Sequence, residues 1–387
     1  MKILQVIPYF VPAFSYGGPI QTCLVISQHM VNNGHEVTVA TTDTLDGKER
    51  IYFLNEDIDG IRVVRFRNVS NSIAKKTNLF LPIGFRKWCK DNIKQFDIIH
   101  CHDFFTYQNI VVRYYAKKYH IPFIIQPHGS LEDVRLQARF GFIKRFFIRK
   151  VLFLLLEAKY VIALTKAEQL TINKIDSNAN VSIVPNGINL DQYYDVQEIN
   201  LHAKYNLPAD TKLICFLGRV QYIKGLDHSL LTLKHLVGKV AFHFFIIGPN
   251  EGDEQQRLEN IIKEDNLEKF VTFVGLLSGM EKKQFIKSCD SFLMLSRSEG
   301  LPISILEAAA VGLPTMISYE CHVPELAVLN AGYEVDKIDY VNNAKILKNF
   351  FDSSDISDNM RMQARAVVAD KFSVPKMVTK IKSLYQD

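Results

Sequence analysis

The chain has no Cys-x-x-Cys pair, and its six cysteines, Cys23, Cys89, Cys101, Cys215, Cys289 and Cys321, fall mostly within apolar runs. That distribution argues against a disulfide framework or a zinc ribbon, and fits reduced thiols acting as small hydrophobes in a reducing compartment. No stretch reaches the roughly 18 uncharged residues that a membrane-spanning helix needs. No secretory leader is expected either. The run Met1-Lys2-Ile3-Leu4-Gln5-Val6-Ile7-Pro8 has one basic residue and is ended early by Pro8, so it reads as the first strand of a cytoplasmic protein. Neither sign of charge dominates: a formal net charge of +5 does not point to nucleic acid, and anionic substrates or a membrane surface explain it equally well. No internal repeat or low-complexity tract is present.

What the chain does have is length and apolar content. With 387 residues, 48% of them hydrophobic, it exceeds one ordinary core and fits two domains of about 190 residues each. Short apolar, β-rich runs alternate with longer helical patterns throughout, which predicts α/β architecture with doubly wound parallel sheets. Strands are predicted over 2–7, 36–41, 61–66, 97–101, 121–126, 160–164 and 181–184, then over 212–217, 242–247, 270–274, 290–295 and 314–318. The rhythm restarts after Asn186-Gly187. Residues 1–190 are therefore expected to form the first domain and 191–372 the second, with the polar stretch 186–206 as hinge. Val374, Met377, Val378, Ile381 and Leu384 give 373–387 a helical spacing.

Two segments after predicted strands carry chemistry: Gly218-Arg219-Val220-Gln221-Tyr222-Ile223-Lys224-Gly225 and Glu299-Gly300-Leu301-Pro302-Ile303-Ser304-Ile305-Leu306-Glu307. Ligands of open α/β sheets bind beyond the carboxyl ends of strands. Arg219 and Lys224 stand at a strand-to-helix turn, where backbone N–H groups and the helix dipole favour phosphate; the plain alternative is two solvated surface cations. Glu299 precedes a helix start formed by Gly300, Leu301 and Ile303, and Glu307 lies one turn inside. Helical side chains tilt toward the N-terminus, so Glu307 is aimed at whatever the first turn binds. Carboxylates repel phosphate but accept hydrogen bonds from hydroxyls, so the pair reads as sugar and ribose recognition beside a diphosphate. An exposed Glu307 or a dipole-complementing Glu299 is the ordinary alternative. The apolar Ile305-Leu306 and Ala308-Ala309-Ala310 argue that Glu307 is buried and needs partners, which ribose hydroxyls would provide.

Three further places invite a functional reading. Gly17 and Gly18, after the first strand, make either a plain turn or a close backbone approach to phosphate. His128, between a strand end and Gly129, is either a satisfied structural histidine or a site residue. Arg139, Lys144, Arg145, Arg149 and Lys150 occur with no acid among them and with Phe140, Phe142, Phe146 and Phe147 interleaved. Such a helix lies on an anionic bilayer or packs its apolar face on the core. Two others mislead. His100-Cys101-His102-Asp103 suggests zinc, but neighbours in a strand point to opposite faces, so it is expected to end a buried strand with His102 near the site. Asp57-Ile58-Asp59-Gly60 imitates a metal-binding Asp-x-Asp but is expected to form a loop before a short strand.

Taken in order, these motifs resemble retaining glycosyltransferase family 4, the group 1 family with GT-B architecture. The resemblance rests on Tyr16-Gly17-Gly18-Pro19, Gly34-His35-Glu36-Val37-Thr38-Val39, Pro127-His128-Gly129, Pro185-Asn186-Gly187-Ile188-Asn189, the Gly-Arg…Lys-Gly turn and the two glutamates. It implies two Rossmann-like domains facing a central cleft, with the final helix, 373–387, crossing back onto the first. It implies sugar transfer from a nucleotide-diphosphate donor, with retention and with no metal or cofactor. The acceptor would be a saccharide or lipid-linked saccharide in cell-surface polysaccharide or glycolipid assembly, with an anionic membrane met peripherally through 139–150. By the same resemblance Arg219 and Lys224 hold the diphosphate, Glu307 the ribose and Glu299 the transferred sugar. His128 reaches the donor sugar or the reacting centre, and the Gly17-Gly18 loop lies beside donor and acceptor. One departure is Leu301-Pro302, where many members carry Phe-Gly; Pro302 is expected at the first helical position, where its missing N–H costs nothing. A UDP-sugar epimerase, a starch, glycogen or sucrose-forming transferase, and a two-lobed sugar-binding protein without catalysis are the alternatives.

Overall fold

The structure, a computed structural model, describes residues 1–77, 79–131 and 153–387. The basic aromatic stretch 139–150 lies outside the described residues. The chain divides into two compact units, Met1–Gly187 with Val374–Asp387, and Ile188–Ser373.

The first unit holds an eight-stranded sheet of β1 (Lys2–Val6), β2 (Glu36–Thr42), β3 (Asn55–Ile58), β4 (Ile61–Phe66), β5 (Ile98–His102), β6 (Phe123–Gln126), β7 (Tyr160–Ala163) and β8 (Val181–Ile183). Their spatial order is β3-β4-β2-β1-β5-β6-β7-β8. All neighbours are parallel except β3 and β4. The central strands are covered on both faces, which is why they read as nearly continuous apolar runs. Leu4, Val6, Ile99 and Cys101 enter one core; Ile3, Ile98 and Ile124 enter the other, together with Met377, Val378 and Ile381 of the helix Val374–Gln386. Gly187 marks where that helix returns, because a Cβ there would come within 2.8 Å of the Val374 Cα.

The Asp57-Ile58-Asp59-Gly60 segment corrects a sequence expectation: it is not a plain loop. Asn55–Ile58 is the antiparallel edge strand β3, with Ile58 opposite Ile61, so Asp59 and Gly60 alone make the turn. Both have positive φ, 53° and 80°, the geometry for which Asp-Gly is favoured in two-residue hairpins. Asp57 accepts the Gly60 N–H at 2.8 Å, so its carboxylate is spent on the turn.

The second unit is an all-parallel sheet of β9 (Lys212–Leu217), β10 (Phe242–Ile247), β11 (Val271–Gly275), β12 (Ser291–Met294), β13 (Thr315–Ser318) and β14 (Gly332–Val335), in the order β11-β10-β9-β12-β13-β14. Chain progression reverses between β9 and β12. That is a topological switch point, where loops from adjacent strand ends diverge and leave room for a ligand. The Gly218–Gly225 turn leaves β9 and the Glu299 segment follows β12, so both flank this point. In the first unit the equivalent reversal lies between β1 and β5, whose exits lead to Gly17 and to Asp103.

Candidate functional site

The β9 exit is shaped by close backbone approaches. A Cβ on Gly248, at the end of β10, would lie 1.9 Å from the Gly218 carbonyl oxygen. The two exits are therefore zipped, with Val220 N–H donating to Pro249 and Glu251 N–H to Val220. This sets Arg219 against Glu251, Nη1 to Oε2 at 2.8 Å, with Gln221 donating to the same oxygen. A single 3-10 turn, Tyr222–Lys224, then ends at Gly225, whose φ is 60° and whose Cβ would collide with the Leu295 carbonyl oxygen at 1.9 Å. Only glycine fits both demands. Gly225 also caps the helix Leu226–Lys234.

That turn carries Lys224 to Glu299, with Nζ to Oε1 at 2.6 Å and side-chain exposures of 14% and 5%. Ser296 Oγ donates to the same Glu299 oxygen at 2.9 Å, and Ser318 Oγ fixes the Ser296 carbonyl at 2.8 Å. The Arg219 pair is far more open, at 40% and 34%. Nearby, burial pushes the Cys321 thiol up to about 12, and the Glu299 charge adds to it. This cysteine is therefore no nucleophile at neutral pH.

Glu299 N–H donates to the Glu320 carbonyl at 3.0 Å, and the chain then passes Gly300 and the buried Leu301 to the helix Ile303–Ala310. Pro302 is the N-cap, not the first helical residue as expected, since its ψ of 119° is extended. Ile303 takes the first helical position, so the first-turn N–H groups, which have no intrahelical acceptor, begin one residue later. Glu307 on that helix is half-buried rather than buried as expected, its side chain 12% exposed, and it does not lack partners within the protein. Its Oε1 already accepts from Lys282 Nζ at 2.6 Å and Tyr193 Oη at 2.9 Å. Burial and the Glu307 charge together push the Tyr193 hydroxyl well above its ordinary range, so it stays a donor.

Sequence reasoning passed over the group that holds the turn in shape. Arg297 grips Asp227 through both nitrogens, at 2.8 and 2.7 Å, donates to the Tyr222 carbonyl at 2.7 Å, and lies 3.9 Å above the Tyr222 ring. Arg297 holds the Asp227 carboxyl below its usual range, against the opposing effect of burial. These contacts join residues about 70 positions apart, and no local motif announces them.

In the first unit Gly17, with φ 99°, is the N-cap of the helix Gly18–Asn32, and a Cβ on it would meet nothing within 4 Å. The helix N-terminus beside Gly17 and Gly18 is thus open to a close ligand approach, with φ rather than crowding calling for glycine. Thr22 on this helix donates to Asn186 of the Pro185-Asn186-Gly187 motif at 3.1 Å. His128 follows β6 in a left-handed conformation, φ 54°, with Gly129 at 75°. The turn is clamped by buried Glu168, which accepts the N–H groups of Gly129 at 2.6 Å and Leu164 at 2.7 Å. Thr165 Oγ1 in turn accepts the Glu168 N–H. That Thr-x-x-Glu capping box was a readable signal for Glu168. His102 hydrogen-bonds His128 at 2.9 Å and stacks on His100 at 4.3 Å, so the apparent zinc motif is a stack of imidazoles on one sheet face. Among the described residues no three His, Cys, Asp or Glu side chains converge as a metal set.

Residues 197–367 match the family of glycosyl transferases group 1, and residues 16–192 match glycosyltransferase family 4. The chain belongs to the group 1 glycosyltransferases. This glycosyltransferase is 26% identical over 333 residues to an uncharacterized glycosyltransferase of Methanocaldococcus jannaschii, covering 82% of this chain and 80% of that protein. An O-antigen biosynthesis glycosyltransferase of Escherichia coli is 25% identical over 218 residues, a match spanning 54% of this chain and 56% of that one. Among solved structures, sucrose-phosphate synthase from Thermosynechococcus elongatus is similar with a TM-score of 0.84 at 18% identity, covering 100% of this chain and 98% of that one. HepE of Anabaena, in complex with UDP and glucose, follows at 0.77 and 17%, covering 100% and 99%. Likeness at these identities establishes the GT-B fold. No helix among the described residues is long and apolar enough to cross a membrane.

Proposed function

We propose that this glycosyltransferase moves a hexosyl group from a nucleotide-diphosphate sugar to a hydroxyl of a saccharide or lipid-linked saccharide. The transfer proceeds with retention at the anomeric carbon and without a metal, in the assembly of a cell-surface polysaccharide or glycolipid. The observation that carries this reading is the buried Lys224–Glu299 pair at the switch point of the second sheet. Lys224 supplies fixed positive charge for a diphosphate, and Glu299, 2.6 Å from it, supplies acceptors for sugar hydroxyls. Arg219 adds a second cation on a more open, exchangeable ion pair. The O-antigen relative supports the pathway class, and the UDP held by a structural neighbour supports the donor class.

Both glutamates of this site are charge-paired, Glu299 with Lys224 and Glu307 with Lys282. A paired carboxylate is a poor nucleophile, so a covalent glycosyl-enzyme through either is disfavoured. Instead the acceptor oxygen bonds to the anomeric carbon on the face the diphosphate leaves. The carbon–oxygen bond to phosphate breaks, its electron pair goes to the diphosphate, and a phosphate oxygen takes the acceptor proton. Lys224 and Arg219 neutralise the charge that grows on the leaving group.

The test is a panel of UDP-, GDP- and ADP-sugars with and without saccharide acceptors, in EDTA, followed by NMR of the product. Transfer in EDTA, with the donor's anomeric configuration kept, supports the reading; an inverted product or strict metal dependence overturns it. Conversion of the sugar without any acceptor assigns the site to an epimerase instead.

A further inference from the structure

Five polar side chains run as one hydrogen-bonded chain through the apolar interior of the first unit. Gln5 on β1 stands opposite His100 on β5, and His102, two residues on, shares that sheet face. Tyr385 of the C-terminal helix reaches onto the same face. The contacts are His128 Nε2 to His102 Nδ1 at 2.9 Å, His102 Nε2 to Gln5 Oε1 at 2.8 Å, Gln5 Nε2 to Tyr385 Oη at 3.0 Å, and Tyr385 Oη to His100 Nδ1 at 2.7 Å. Gln5, His100 and His102 are wholly buried. Nδ1 of His128 makes no hydrogen bond among the described residues, and its ring is half-buried.

The direction of donation follows from the Gln5 amide, whose Nε2 is set against Tyr385 Oη and whose Oε1 is set against His102 Nε2. Burial drives the proton affinity of all three imidazoles down, to about 3 for His100 and His128 and well below the ordinary value for His102. Each ring is therefore neutral, with one N–H and one lone pair. Gln5 donates to Tyr385, so its Oε1 accepts from His102 Nε2–H. His102 Nδ1 is then a lone pair, and His128 must donate to it. Tyr385, accepting from Gln5, gives its one proton to His100 Nδ1, which leaves the His100 N–H at Nε2. Nε2 of His100 and Oε1 of Gln126 are both buried without a hydrogen bond, and Gln126 raises the proton affinity of His100, as an acceptor near that N–H does. Every donor points the same way, from His128 inward.

We propose that His102, Gln5 and Tyr385 are positioning residues that lock His128 as the Nε2–H tautomer, so that its Nδ1 lone pair accepts a hydrogen bond from a hydroxyl of the substrate sugar. The C-terminal helix, through Tyr385, thereby sets the chemistry of a turn more than 250 residues away in the chain. The substrate half of this proposal rests on the transferase reading, whereas the tautomer does not.

The test uses the full chain labelled with 15N and a long-range proton–nitrogen correlation of its histidines between pH 5 and 7, with His128 assigned through His128→Gln. The expected wild-type spectrum shows His128 with a protonated Nε2 and bare Nδ1. A protonated Nδ1 overturns the proposal whatever the activity. His102→Leu is expected to leave His128 a tautomer mixture and to lower kcat about tenfold with little change in donor KM, the loss of one ordering hydrogen bond. His102→Asn, whose Oδ1 can sit where Nδ1 was, is expected to restore both. A pure Nε2–H tautomer in His102→Leu overturns the positioning role. Should that variant not fold, Tyr385→Phe is read in the same way, because it removes the proton source for His100 and the acceptor for Gln5. The expected tautomer pattern in a protein without transferase activity sinks the function reading alone.

Discussion

Buried neutral histidines make the first unit acid-labile in a way that can be computed. A histidine whose folded pKa lies below its unfolded value binds fewer protons in the fold, so its stability contribution is complete above the unfolded pKa of about 6.5 and falls as pH drops toward the folded value. For His100 the folded value is about 3. Between pH 7 and pH 5 that single group then costs the fold about 2 kcal/mol, from the difference in proton binding between the two states. His102, wholly buried and lowered well below its ordinary value, and His128, lowered by burial as well, each add a loss of the same sign.

The chain has one tryptophan, Trp88, which packs on Phe66 and Phe85 beside the first unit's core, so its fluorescence reports unfolding of that unit. Urea titrations at pH 7 and pH 5 on the wild type and on His100→Asn isolate the His100 share, because every other titrating group is common to both. Asparagine keeps an acceptor for Tyr385 but no titrating ring. The expected result is an acid loss smaller by about 2 kcal/mol in the variant. Equal losses in the two proteins would show that His100 titrates normally in the fold and would refute the reasoning.

Lys224→Ala is expected to destabilise the second unit by about 3–5 kcal/mol because it strands a buried carboxylate, whereas Arg219→Ala, from an exposed pair, costs under about 1 kcal/mol; equal melting shifts would contradict this. Each substitution should also weaken nucleoside diphosphate binding by about 1.5–3 kcal/mol, and calorimetry giving unchanged UDP and GDP affinities would end the phosphate assignment. Glu307→Gln is expected to weaken bare nucleotide binding, and Glu299→Gln to slow sugar transfer while sparing it; identical affinity losses would erase the division of roles. Gly225→Ala should cost at least about 1–2 kcal/mol for the left-handed backbone, with further loss from the Leu295 collision, and an unchanged melting temperature would show that the turn relaxes freely.

Parallel strands buried on both faces advertise themselves, and for that reason the apolar runs alone locate β1, β2, β4 and the strands around the second switch point. The two strands the pattern missed are the ones that physics leaves unmarked. β3, Asn-Glu-Asp-Ile, is a half-exposed edge whose only signal was the Asp-Gly turn after it. β14 opens on Gly332, where a Cβ would lie 2.4 Å from the Thr315 carbonyl oxygen, so the residue that permits the pairing is one that strand propensity disfavours.

The candidate site divides in the same manner. Arg219, Lys224, Glu299 and Glu307 were legible because a strand end and a helix start are local events, readable within nine residues. Their partners were not: Tyr193 and Lys282 on Glu307, and Asp227 under Arg297, meet only once the sheet has formed. The histidine chain lies between these cases. Ile-Leu-Gln-Val and Ile-Ile-His-Cys-His each place polar residues where a strand is otherwise apolar, and His100 and His102, two apart, must share a face. What the sequence withheld was the register that sets Gln5 beside His100. A buried polar residue in one parallel strand is a cost; two in register become a hydrogen-bonded pair, and Tyr385 arriving from the far end of the chain turns the pair into a conduit with a direction.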